Sequence, residues 1–128
     1  RQSLQGDICV ASNSSLRYVK AALKKTELDV CFKDKVFSAE QVKNPKPAPD
    51  LFLLVCSKLG YRPEDCIVIE DSVSGVKAAQ NANMKVVSFS GAAHFVPSLE
   101  EKLKHTNATW HCSSVSELRG LLSAENLM

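Results

Sequence analysis

Short apolar runs alternate with amphipathic stretches along nearly the whole chain, and this alternation restricts its fold more than any other feature. Residues 8–11 (Ile-Cys-Val-Ala) form a β-rich run between Asp7 and a Ser/Asn cluster, which predicts a buried strand. Ser14 or Ser15 can cap the helix that follows. Its apolar positions Leu16, Val19, Ala22 and Leu23 face away from most of Arg17, Lys20, Lys24 and Lys25, and it should stop near Thr26. Residues 36–38 predict a second, short strand.

The stretch 44–49 (Asn-Pro-Lys-Pro-Ala-Pro) cannot be regular structure, because its prolines fix φ and bias each preceding residue to extended geometry. Pro49 or Asp50 suits the first turn of a helix, and Gly60 suits its end. The helix 50–59 is apolar on most sides, so it should be well buried. Residues 66–69 give the clearest buried strand, ending in Glu70-Asp71-Ser72. A helix over roughly 74–82, a strand at 85–90, a loop opened by Gly91, helices at 97–104 and 116–122, and a weak strand near 109–112 complete the reading. A β-α-β-α order at this spacing implies an α/β fold, a parallel sheet with helices on both faces. In such sheets ligands bind outside the carboxyl ends of the strands.

The 128 residues fit one domain. With 16 basic and 14 acidic residues the net charge is +2, too balanced to imply a nucleic-acid or membrane partner. No apolar run approaches a membrane span. The five cysteines contain no CxxC pair and sit mostly in or beside apolar runs, so they read as reduced, mostly buried thiols of a cytosolic protein. The chain begins with Arg1 and reaches a strand almost at once, which reads as a piece of a longer protein.

Three elements stand just after strands. Ser12, with the backbone N–H groups of Asn13 to Ser15, can form an anion cradle; alone it would pass for a helix-capping serine. Lys46 is fixed between prolines and can aim its ammonium at a phosphoryl group; alone it would pass for a solvated loop lysine. Glu70 and Asp71 close an apolar strand, and paired hard carboxylates suit Mg²⁺; alone they, or Ser72, would cap the next helix. His94, in the loop after a strand, could line the site or be a plain loop histidine. His105 and His111 have no evident partners, and Trp110 reads as core or part-buried.

The strings Val10-Ala11-Ser12-Asn13-Ser14-Ser15, Lys46-Pro47-Ala48-Pro49-Asp50-Leu51-Phe52 and Val68-Ile69-Glu70-Asp71-Ser72-Val73-Ser74-Gly75-Val76 resemble the second, third and fourth motifs of the haloacid dehalogenase superfamily. Within it they are most similar to the β-phosphoglucomutase-like sugar-phosphate phosphatases and mutases. The resemblance runs to about Leu122 and implies a three-layer, Rossmann-like parallel sheet. It implies that Ser12, helped by the Asn13 backbone, holds the transferring phosphoryl group. Lys46 would neutralise that group and the attacking carboxylate, and Glu70 and Asp71 would hold Mg²⁺ directly or through its water. The implied reaction is phosphoryl transfer to an aspartate followed by hydrolysis.

The departure is the family's first motif. The sequence contains no Asp-x-Asp, which would carry the nucleophile, and no cap domain that would read the substrate. By the resemblance, the first strand lies centrally between the strands of residues 8–11 and 66–69. The expectation is therefore the C-terminal part of a core domain, inactive alone, from a Mg²⁺-dependent phosphatase of a small phosphorylated metabolite. A sugar-phosphate mutase, and a non-catalytic fragment that pairs with another chain, are the alternatives. The open slot should be filled by a second chain, by self-association, or by its two flanking strands closing on each other.

Overall fold

The computed structural model describes residues 6–91, 97–125 and 127. Its elements run β1 (Val10–Ser12), α1 (Leu16–Lys25), α2 (Asp29–Phe32), β2 (Val36–Ser38), α3 (Asp50–Leu59), β3 (Ile67–Glu70), α4 (Val73–Asn81), β4 (Lys85–Phe89), α5 (Pro97–Lys104), β5 (Trp110–Cys112) and α6 (Val115–Ala124). All strand pairs are parallel: β1 with β2, and β3 with β4 with β5. Helices cover both faces, so the fold class is the α/β architecture read from the sequence.

Local chemistry accounts for the ends of the elements. Ser15 caps α1 by accepting from the Tyr18 N–H, Ser72 caps α4 by accepting from the Gly75 N–H, and Ser114 caps α6 by accepting from the Glu117 N–H. Gly60 ends α3 at φ 78°, a left-handed conformation that glycine adopts without strain. The main core gathers Phe52 and Cys56 of α3, Val76, Ala78 and Ala79 of α4, Ala82, Met84, Val86 of β4 and Leu103 of α5. The alanines of α4 let that helix lie close on β3 and β4.

The sheet divides between β1 and β3, which share no hydrogen bonds. A cleft of about 630 Å³ runs between them, lined by Ile8, Cys9 and Ala11 on one side and Ile67, Val68 and Ile69 on the other. The expectation that these strands close on each other is therefore corrected. The reason is α3: Phe52 and Cys56 pack into the core from beneath, touching both halves, and Phe52, Val55, Cys56 and Leu59 floor the cleft. A complementing second chain gains no support from the described residues.

Four further expectations shift. The run at 8–11 pairs only from Val10 onward, and that at 66–69 starts one residue later, at Ile67. Ile69 is 45% exposed, since β3 borders the cleft and is not sheathed on that side. Only Cys56 and Cys112 are buried; Cys9 and Cys66 are half-buried and Cys31 is exposed, all of them free thiols. Helix α3 is less enclosed than its composition suggested, with Leu53 on the surface.

Candidate functional site

Ser12 and Glu70 are the last residues of β1 and β3, so the sequence-read site lies at the carboxyl ends of both sheets. A cavity of about 530 Å³ opens there. Its lining brings together Ser12, Asn13, Lys46, Glu70, Asp71, Ser72 and Ser74 from three separate segments. His94 lies outside the described residues.

Lys46 is the most heavily restrained of these residues. Its ammonium donates to the Glu70 carboxylate at 2.5 Å and to the Ala11 carbonyl at 2.9 Å. Both side chains of the ion pair are largely buried, 7% exposed for Lys46 and 10% for Glu70. The ammonium also stands 4.9 Å from the centre of the Phe52 ring, a cation–π contact. The backbone of Lys46 is clasped by the Asn13 amide: Lys46 N–H donates to Asn13 Oδ1 at 3.0 Å, and Asn13 Nδ2 reaches the Lys46 carbonyl at 3.4 Å. Asn44 donates twice to Asp50, and Asn81 of α4 donates to the Pro47 carbonyl, so the loop is tied at three places. The Lys46–Pro47 peptide is cis.

Around Ser12 the anion cradle is narrower than expected. The helix starts at Leu16, and two early N–H groups are already engaged: Ser14 N–H donates to Ser12 Oγ at 3.1 Å and Leu16 N–H donates to Glu40. Ser12 Oγ retains its own proton for a ligand oxygen.

The acidic pair divides its work. Glu70 faces inward, its Oε2 on Lys46 and its Oε1 accepting from Ser72 Oγ at 3.2 Å. Asp71 is exposed and lines the cavity. Among the described residues no group of three or more His, Cys, Asp or Glu converges on one point. Two carboxylates fit Mg²⁺ nonetheless, since that ion commonly takes one or two from the protein and completes its shell with water and phosphate oxygens. Asp71 is the side chain open to hold it, and Glu70, committed to Lys46, would reach it through water.

The amide of Asn13, the Phe52 ring and Glu40 were not legible as parts of the site. Asn13 was expected at the site for its backbone beside Ser12, not for a side-chain amide that clasps the Lys46 backbone. Phe52 is close to Lys46 in sequence, but that its ring lies under the ammonium follows only from the turn of the loop into α3, and Glu40 reaches the Leu16 N–H from 24 residues away. His111, without evident partners in the sequence, bonds Ser88 and Ser90 beside β4 and β5.

Residues 2–83 match the family model described as haloacid dehalogenase-like hydrolase. The chain is 29% identical over 116 residues to the 6-phosphogluconate phosphatase of Escherichia coli, covering 91% of this chain and 51% of that protein. It is 38% identical over 78 residues to a phosphorylated carbohydrates phosphatase of Thermotoga maritima, covering 61% and 36%. A crystal structure of a haloacid dehalogenase family hydrolase from Deinococcus radiodurans, with bound phosphate and sodium, superimposes with a TM-score of 0.85 at 29% identity, covering 94% and 53%. The chain thus spans about half the length, or less, of these relatives. With the motif residues gathered at one cavity, this chain belongs to the haloacid dehalogenase-like hydrolases.

Proposed function

We propose that this chain is the phosphate- and metal-holding part of a Mg²⁺-dependent phosphatase of small phosphorylated metabolites, acting through an aspartyl-phosphate. The observation that carries the reading is the single cavity in which Ser12, Lys46 and Asp71 converge at the carboxyl ends of β1 and β3. Each has a role there: Ser12 donates to a phosphoryl oxygen, Lys46 supplies positive charge and Asp71 holds the ion. The relatives that act on 6-phosphogluconate and phosphorylated carbohydrates support the substrate class. The nucleophile belongs on an Asp-x-Asp strand in the cleft between β1 and β3, and no residue of this sequence supplies that pattern.

Two assays test this. The 128-residue chain alone should leave p-nitrophenyl phosphate intact, and turnover abolished by Asp71→Asn would overturn the assignment of a separate nucleophile. The longer protein carrying this segment, screened with Mg²⁺ against phosphorylated sugars and small acids, should release phosphate and lose activity on chelation. Undiminished hydrolysis by its Asp71→Asn variant would contradict the metal role.

A further inference from the structure

We infer that Gly75 is a positioning residue for Lys46, acting through Glu70. The inference deepens the phosphatase reading and rests on it for the value of Lys46, but its geometry is independent of any activity.

Gly75 lies in the first turn of α4, which starts directly after the Glu70-Asp71-Ser72 corner. A Cβ built on Gly75 would stand 2.7 Å from Glu70 Oε2 and would overlap Oε1 and Cδ. The position is fully enclosed on that side by the carboxylate, not by backbone. Glu70 is thereby able to fold back under the start of α4, where Ser72 Oγ donates to it and the helix N-terminus favours its charge. From that place its other oxygen meets the Lys46 ammonium. Any side chain at position 75 would drive the carboxylate out of the pocket. The group that moves is the end of a flexible side chain, so the backbone need not yield. Glycine in a helical turn is otherwise unfavourable relative to alanine. Here it keeps a buried acid on the lysine and leaves Asp71 as the carboxylate open to the cavity.

The test is trace acylation of the folded 128-residue chain with acetic anhydride, with labelling at Lys46 read by peptide mass spectrometry. Gly75→Ala should raise Lys46 labelling at least tenfold, to the level of Glu70→Gln, while labelling of the exposed Lys24 stays constant. The double variant should label no faster than either single one, because both remove the same contact. Wild-type labelling in Gly75→Ala overturns the inference. A Gly75→Ala chain without native circular dichroism overturns it too, since the clash would then fall on the backbone. If Lys46 responds as described yet inorganic phosphate does not bind the wild-type chain, the positioning role stands and the phosphatase reading fails.

Discussion

Lys46 concentrates the energetic interest of the site. A buried ion pair contributes little net stability when intact, but breaking it leaves an uncompensated charge. Lys46→Met should therefore lower stability by about 3 kcal/mol, read as a shift in the urea midpoint, because Glu70 would remain without its cation. The thiols offer a second residue-scale check. Burial, and then the 3.5 Å contact with Cys66, push Cys56 up to about 12, so it is almost entirely thiol at neutral pH. Exposed Cys31 should react first with a disulfide reagent and Cys56 last; Cys56 reacting with Cys31 at pH 8 would show that α3 is less closely held than described. At this scale residue type and position after a strand marked Ser12, Lys46 and Asp71, which line one cavity. The site was not legible where the role comes from a neighbour far along the chain, as when the Asn13 amide holds a backbone 33 residues away.

Helix ends were read from the sequence more reliably than strand ends. Ser15, Ser72 and Gly60 carry their capping chemistry in one residue, so α1, α3 and α4 fall within a residue or so of expectation, α3 on it. Strand limits depend on a partner. Ile8 and Cys9 have strand-like side chains but face the cleft, and pairing with β2 starts only at Val10. The four-residue α2 lacks an amphipathic repeat, which is why periodicity does not reveal it. Ser72→Ala should cost about 1 kcal/mol of unfolding free energy through the lost cap of α4, measured by thermal or urea melts. Ahead of β1, Asp7 accepts from Lys35 and from the Tyr61 hydroxyl. Lys35, chiefly, and Tyr61 hold the Asp7 carboxyl below its ordinary range. A depressed carboxyl contributes stability above its unfolded pKa and loses it as pH falls through the folded one. The acid limb of the stability curve should therefore soften in Asp7→Asn below about pH 4, an effect kept small by the solvent exposure of the pair.

At the scale of the molecule, the divided sheet and the gathered site belong together. Helix α3 joins the halves through Phe52 and Cys56, and the loop before it carries Lys46 across from β1 to the end of β3. The alternation of the sequence revealed the α/β layers. It could not reveal that β1 and β3 would stay apart, because strand-to-strand spacing is set by what packs beneath them. In the function proposed, this arrangement holds phosphate and Mg²⁺ without the residue that would react. The most direct measurement is the ³¹P line width of inorganic phosphate titrated with the folded 128-residue chain in Mg²⁺. The line should broaden, with apparent affinity weakened at least tenfold in Ser12→Ala and the Mg²⁺ dependence lost in Asp71→Asn. An unbroadened line with the wild-type chain, or equal broadening with all three, would contradict it.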